Sequence, residues 1–301
     1  MLSFKPITIA DKETITYFTR SGSFQNCDFA FSNMCSWRFL YDSEFAVEDD
    51  FLFVRFYTKS HQGYMFPNGT GDLKRAIEKL DEDSLAHNHP LRLFGVSPDS
   101  KDKLEGLFPS QFVFTANRNY FDYIYLREDL LTLKGKKYQP KRNHINKFTK
   151  SYPFSYLPIT REMIPECLEL EYRWYQANKT EKDAEELRYE NRSMIFALNN
   201  FEALDLTGGA IQVGNEIIAF TYGSPINANT FGVHVEKADT RFDGIFNVIN
   251  REFVARIPEQ YTYINREEDL GIPGLRQSKL SYHPAILLEK NMALKRFGAR
   301  R

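Results

Sequence analysis

The segment NREEDLGIPGLRQSKLSYHP, residues 265–284, carries side chains that could do chemistry and separates them by charge. Three acidic residues, 267–269, come first, a Gly-x-Pro-Gly sequence follows, and Arg276, Lys279 and Tyr282 come last. Carboxylates and phenols exchange protons, whereas Arg and Lys bind anions. The segment therefore combines groups that exchange protons with groups that bind anions.

A short helix explains most of this separation without a substrate. Asp269 is predicted to cap the helix, Pro273 suits its first turn, and the acids favour its positive end while Arg276 and Lys279 favour the negative end. Asn265 ends a predicted strand, where α/β sheets place ligand crevices. The pattern thus predicts a capped helix that borders a cleft, with Lys279 and Tyr282 on one helix face if the helix continues.

The segment VEKADTRFDGIFNVI, residues 235–249, is predicted to be a strand, a loop and the start of a helix. Backbone N–H groups at a helix N-terminus bind anions, and Gly244 would allow a phosphate to approach, with Arg241 adding charge. Alternatively, Asp243 caps the helix and satisfies the same donors, as Asp72 is expected to do at the start of a helix in the first half of the chain. Glu236 stands at the end of the strand beside this loop and is a candidate general base.

A basic run lies in the middle of the chain, at residues 134–150, and contains no acid. Like charges repel, so a phosphate-bearing partner such as a nucleotide, a tRNA end or a lipid head group would stabilise the run. The alternative is a solvated linker, although Tyr138, Ile145 and Phe148 indicate a packed segment. Its basic residues are Lys134, Lys136, Lys137, Lys141, Arg142, Lys147 and Lys150.

Glu190 lies on the apolar stripe of a helix predicted over 182–201, at helical spacing from Leu187 and Met194. A buried carboxylate needs a partner or a function, and Arg276 or Lys279 is the expected partner. The alternative is a carboxylate at the margin of the stripe, in water.

The order strand, strand, helix, strand, helix, strand occurs in both halves of the chain. Ile245, Ile249, Phe253 and Ile257 recur every fourth residue and predict a core-facing helix. The sequence therefore predicts an α/β fold (α+β, mixed sheet) of two domains, with an N-terminal domain at 1–133, a basic connecting segment at 134–155 and a C-terminal domain at 156–301.

Composition excludes several classes of protein. The 301 residues carry a formal net charge of −1, which argues against a globally basic nucleic-acid binder. The three cysteines show no metal-type spacing and no even disulfide set, which indicates a reducing compartment. No apolar run approaches the ~18 residues of a membrane span, and no P-loop or dinucleotide fingerprint occurs. A cytoplasmic, soluble protein is expected.

Three segments together resemble a bacterial family built on the C-terminal domain of phosphatidylglycerol lysyltransferases. They are LKGKKYQPKRNHINKF, the EKA at 236–238 and the segment at 265–284. The resemblance implies two tandem GNAT-type acyltransferase domains, similar to the Fem aminoacyltransferases. It also implies an aminoacyl-tRNA or acyl-CoA donor. In the GNAT pattern for coenzyme A, Arg241 and Gly244 match, whereas Phe246 stands where a small residue is usual.

The leading hypothesis is an acyltransferase or aminoacyltransferase with an amine or hydroxyl acceptor. Glu236 is its candidate base and Tyr282 the candidate acid for the leaving group. The candidate phosphate-binding residues are Arg241, Gly244, Arg276, Lys279, Lys141 and Arg142. Two alternatives stay open: a non-catalytic module that binds an anionic ligand on the same fold, and binding to tRNA or a lipid surface through the basic run alone.

Overall fold

The computed structural model describes residues 2–178 and 184–296 of the chain. Two sheets, flanked by helices, account for the mixed α/β architecture that the sequence predicts. The strands are β1 Lys5–Pro6, β2 Glu44–Glu48, β3 Phe51–Tyr57, β4 Gln62–Met65, β5 Asn68–Gly69, β6 Arg92–Val96, β7 Phe112–Ala116, β8 Asp122–Leu126, β9 Phe154–Pro158, β10 Thr207–Val213, β11 Glu216–Pro225, β12 Thr230–Ala238, β13 Tyr263–Asn265, β14 Ile286–Leu288 and β15 Asn291–Lys295. The α-helices are α1 Lys12–Ser21, α2 Phe31–Ser36, α3 Arg38–Tyr41, α4 Leu73–Ala86, α5 Pro98–Leu107, α6 Arg127–Thr132, α7 Gln139–Ser151, α8 Ile164–Asn178, α9 Ala184–Asn199, α10 Ile245–Val254 and α11 Pro273–Leu280.

Each sheet is antiparallel except for one parallel pair. The first sheet has the order β1-β2-β3-β4-β6-β15-β7, with β5 beside β3, and its parallel pair is β4 and β6. The second sheet has the order β14-β8-β13-β12-β11-β10-β9, and its parallel pair is β12 and β13. The two sheets therefore repeat one design, as the element order predicts.

The sheets exchange strands. β8 comes from the first half of the chain but lies between β13 and β14 of the second sheet. β15, at the opposite end of the described chain, lies between β6 and β7 of the first sheet. Each half thus completes the sheet of the other, and the boundaries proposed at 133 and 155 stay a prediction.

In both sheets the parallel pairing ends after a few residues. The pairing of β12 with β13 ends at Gly232 and Asn265, while β12 continues to Ala238. That of β4 with β6 ends at Met65 and Phe94. We call these two places the second-sheet fork and the first-sheet fork. Open α/β sheets place ligands outside the carboxyl ends of their strands, so the forks are the positions to search for a site.

Local signals in the sequence predict several helices correctly. The apolar stripe of α10, with Ile245, Ile249 and Phe253, is fully buried, and burial of each such side chain contributes roughly 1.5–3 kcal/mol. Asp72 caps α4 by accepting from the N–H of residue 75, as expected. Asp243 does not cap α10. Its carboxylate binds Lys147 at 2.7 Å instead, and residue 244 is the N-cap.

A candidate active site at the second-sheet fork

Glu236, Arg266 and Tyr282 come together at the second-sheet fork. Glu236 lies near the end of β12, Arg266 directly follows β13, and Tyr282 follows α11. The Arg266 Nη2 lies 3.0 Å from the Glu236 Oε1, and its guanidinium carbon lies 5.0 Å from the centre of the Tyr282 ring. The two residues predicted as base and acid therefore share one cluster, joined by an arginine.

Two asparagines on α10 hold this cluster. Asn247 donates from Nδ2 to the Tyr282 hydroxyl oxygen at 2.5 Å, and Asn250, one turn later, donates to the Glu236 Oε2 at 3.3 Å. Sequence reasoning missed both. The sequence does contain a signal for them, since two amides lie three residues apart on a helix that is otherwise apolar on its inner side. Buried amides need hydrogen-bond partners, so this spacing indicates a polar site against the helix.

Lys141 covers the cluster from α7. Its Nζ lies 4.0 Å from the centre of the Tyr282 ring. Burial and the nearby Arg266 lower the pKa of Lys141 to about 8, while Glu236 opposes the shift. Burial also raises the pKa of Tyr282 to about 12, with Glu236 adding to the shift and Arg266 and Asn247 opposing it. At neutral pH the phenol is therefore protonated and the lysine mostly charged.

The cluster also contains two buried polar atoms, the Nη1 of Arg266 and the Oδ1 of Asn250. Among the described residues, no hydrogen-bond partner lies near the Nη1 of Arg266 or the Oδ1 of Asn250. Buried polar atoms without partners are uncommon in folded proteins, because leaving such an atom without a hydrogen bond costs free energy. A free guanidinium donor beside a protonated phenol and an ammonium group is the arrangement that stabilises a developing negative charge.

A histidine network adjoins the cluster, because Glu267, which binds His234, directly follows Arg266 in the chain. The Nδ1 of His234 lies 2.8 Å from the Oε1 of Glu267, and its Nε2 lies 2.8 Å from the Oγ of Ser224 and 3.0 Å from that of Ser32. His234 occupies a bulge between β11 and β12, and Glu267 has a left-handed backbone with φ 56°. The sequence patterns do not single out His234.

Acidic side chains on the other side of this loop surround Lys290. Its Nζ lies 2.7 Å from the Oδ1 of Asp122 and also contacts the carboxylate of Glu268. Cys27 completes the group, and burial with the neighbouring carboxylates raises the pKa of its thiol well above the usual value. Cys27, Asp122 and Glu268 place ligand atoms within 4.8 Å of one another, as a metal would require. However, Lys290 already neutralises both carboxylates.

The charge separation in residues 265–284 has a different basis from the predicted helix cap. Asp269 is fully buried, and residue 272 is the N-cap of α11. Asp269 binds Arg276 at 2.8 Å and accepts from the Tyr123 hydroxyl at 2.6 Å. Although burial alone would raise its pKa, these hydrogen bonds hold the pKa of Asp269 well below its usual value. Pro273 does lie in the first turn, as predicted.

Lys279 and Asn265 turn inward and organise the loop. Lys279 donates to the carbonyl oxygens of residues 266 and 268, and burial followed by the charge of Arg266 lowers its pKa. Asn265 donates to Asp122 at 2.7 Å and to the carbonyl of residue 25. Both side chains therefore fix the backbone that presents Arg266 and Glu267, rather than facing a phosphate.

The predicted cofactor loop is occupied by protein contacts. Arg241 is exposed and pairs with Asp239 at 2.5 Å. Gly244 has φ 89°, and a Cβ there would lie 2.7 Å from the carbonyl oxygen of His144 on α7. Arg142 donates to the carbonyls of residues 133 and 135. Of the predicted phosphate-binding residues, Lys141 extends its side chain over the Tyr282 ring, whereas Lys279 donates to the backbone carbonyl of Arg266.

Glu190 pairs with Lys237 at 2.8 Å, not with Arg276 or Lys279. Its side chain is 39% exposed, and the deeply buried partner of Lys237 is Glu171, at 3.6 Å. Lys237 also lies over the ring of Trp174 at 3.6 Å. The prediction that Arg276 or Lys279 pairs with Glu190 is therefore wrong. Lys237 is the partner, and it points from β12 to the face of the sheet opposite to that of Glu236.

Comparison with known proteins agrees with this architecture. The sequence model of a family described as phosphatidylglycerol lysyltransferase, C-terminal, matches residues 19–294. A crystal structure of a conserved protein of unknown function from Bacteroides thetaiotaomicron is 55% identical, with a TM-score of 0.96, and the match covers 98% of this chain and 100% of that one.

Two more distant structures share the fold. The structure of L-PGS from Bacillus licheniformis has a TM-score of 0.64 at 15% identity, over 97% of this chain and 93% of that one. A tandem GNAT protein from the clavulanic acid biosynthesis pathway has a TM-score of 0.50 at 11% identity, over 98% of each chain. The predicted tandem GNAT-like fold is thus confirmed.

No helix in the described parts of the chain combines the length and apolar character needed to cross a membrane. The chain belongs to the phosphatidylglycerol lysyltransferase C-terminal family.

Proposed function

We propose that this chain transfers an aminoacyl or acyl group to an amine or hydroxyl, and that the reaction takes place at the second-sheet fork. The observation that carries the proposal is the buried Nη1 of Arg266, which has no hydrogen-bond partner among the described residues and lies beside the Tyr282 phenol and the Lys141 ammonium. Family membership supports the reaction class, because the family is named for an aminoacyl transfer. An aminoacyl-tRNA or an acyl-CoA is the proposed donor.

The roles follow from the charge that develops during acyl transfer. The acceptor attacks the acyl carbon and gives its proton to the Glu236 carboxylate, which already accepts from Arg266 and Asn250. The carbonyl oxygen becomes an oxyanion, which Arg266 Nη1 and Lys141 are placed to stabilise. The leaving oxygen or sulfur then takes the phenol proton as its bond to the acyl carbon breaks. The proton on Glu236 later restores the phenol.

Asn247 assists the acid. Its Nδ2 donates to the Tyr282 oxygen, so it stabilises the phenolate that forms as the proton leaves. Removing the hydroxyl should therefore abolish proton donation while the ring still packs against Lys141 and Arg266. We expect Tyr282→Phe to lower kcat by roughly 10²–10⁴ if the phenol is the general acid.

The experiment incubates the protein with charged tRNAs and with a panel of acyl-CoAs, and follows loss of the acyl bond. Tyr125→Phe is the matched control, because the buried Tyr125 hydroxyl donates to the carbonyl of residue 279 and not to the cluster. Equal rates for Tyr282→Phe and the parent would remove Tyr282 as the acid. If the parent consumes no donor while native mass spectrometry finds a bound anion, the non-catalytic binding module is the better description.

A further inference from the structure

The first-sheet fork contains a cavity that the proposed transfer reaction does not use. Its volume is about 220 Å³, and it is formed by the loop before α2, the end of β6, the first turn of α5 and the segment after β14. Because it lies where the parallel pairing of β4 and β6 ends, it occupies the first sheet's counterpart of the Tyr282 cluster. We propose that this cavity binds the oxyanion of a small carboxylate or phosphate compound.

The first support is the side-chain amide of Asn26 in the cavity wall. Asn26 is 3% exposed, and its Oδ1 accepts from the N–H of Asp28 at 2.9 Å. That bond orients the amide, so its Nδ2 lies toward the lining residue Gly95, where an added Cβ would be 2.7 Å away. Within the described residues, the Nδ2 has no hydrogen-bond partner. A ligand acceptor would satisfy it.

The second support is the start of α5, a helix of 10 residues that opens at the end of β6. Ser97 caps it and accepts from the N–H of Ser100, and the Ser97 hydroxyl donates to the Oγ of Ser100. The Ser100 hydroxyl can then donate into the cavity, which both serines line. The positive end of the helix dipole favours an anion at this place.

Lys103 adds a charge one turn further along α5 and also lines the cavity. Lys103 is exposed, and no acid forms an ion pair with it among the described residues. Asp99 and Glu289 lie at the same cavity and oppose a highly charged anion. Together with the volume, which is below the ~300 Å³ of drug-sized sites, they favour a small ligand of low charge.

The test measures the affinity of acetate and of inorganic phosphate by calorimetry, which separates a carboxylate from a phosphate source. Asn26→Asp keeps the acceptor for Asp28 but replaces the donor with a negative oxygen, and we expect it to weaken binding by at least about tenfold. Lys103→Gln should weaken binding by about threefold to tenfold. Lys101→Gln is the matched control, because this lysine of the same helix lies over the Phe114 ring at 5.3 Å and does not line the cavity.

Two outcomes overturn the proposal. One is that neither anion binds the parent protein at concentrations up to about 10 mM. A dissociation constant above that concentration corresponds to a binding free energy too small for a specific site. The other is that Asn26→Asp and Lys103→Gln bind both anions as the parent does, while both variants keep the parent's melting temperature. Since the readout is binding and not turnover, loss of this site and failure of the Tyr282 mechanism are distinguishable.

Discussion

Replacing Lys290 with Met should destabilise the protein strongly at neutral pH. The side chain of Lys290 is 7% exposed, and its ammonium neutralises Asp122, which is fully buried, together with Glu268. Methionine fills a similar volume but leaves two buried carboxylates facing each other without a cation. Stranding a buried charge costs on the order of 3–5 kcal/mol. At roughly 2–4 °C per kcal/mol, the melting temperature should fall by about 6–20 °C.

The deficit should also depend on pH, with a sign set by Glu268. Burial raises the pKa of Glu268 already, with Asp122 and Glu267 adding to the shift and Lys290 opposing it. Without Lys290 the pKa of Glu268 in the folded protein rises further. At a pH between this raised value and the ordinary pKa of glutamate, the folded protein therefore binds a proton that the unfolded chain does not bind. Stability of the variant therefore increases as the pH falls from neutral toward about 4.5.

The assay is guanidinium denaturation at pH 7.5 and pH 5.5, with Lys295→Met as the control. Lys295 pairs with Asp81 at 2.6 Å, and both side chains are partly exposed, so the loss of this pair should cost only about 1 kcal/mol at both pH values. Equal midpoints for the two variants at pH 7.5 would refute the reasoning. A large Lys290→Met deficit that does not shrink at pH 5.5 would refute the assignment of the charge to Glu268.

Three further outcomes are expected. Glu190→Ala should cost only about 1 kcal/mol in a denaturation experiment, because Glu190 is partly exposed and Lys237 keeps a second acid at 3.6 Å; a loss of 3 kcal/mol or more would show that Glu190 alone supports Lys237. Gly223→Ala should lower the free energy of unfolding by more than about 3 kcal/mol, because the added Cβ would lie 1.9 Å from a carbonyl oxygen of β12. In Gly274→Ala the added Cβ meets nothing within 4 Å, so this control variant should be neutral or stabilising by up to about 1 kcal/mol. The transfer rate should fall as the pH rises through about 8, where Lys141 loses its proton, and Lys141→Arg should remove that fall; a pH profile of kcat/KM that is the same in both proteins would contradict the role of Lys141.

Local patterns in the sequence determined the elements and their order. Helical periodicity located the buried face of α10, Asp72 and Pro273 marked helix starts, and the repeated element order indicated two similar halves. These features depend on residues within a few positions of one another, so one chain suffices to predict them. The motif at 265–284 also predicts the family and a cleft, and the sequence predicts Glu236 and Tyr282 as candidate site residues.

Long-range pairing decided the rest. Which strand completes which sheet depends on contacts between residues far apart in the chain, as the exchange of β8 and β15 shows. The partners of Glu236, Tyr282 and Glu190 depend on the same contacts, because the direction of a side chain from a sheet selects a neighbour that sequence spacing does not specify. His234 and Lys290 gained their significance only in the folded chain. Each carries a charge or hydrogen-bonding capacity that is ordinary in water and becomes decisive when carboxylates from distant segments are buried around it.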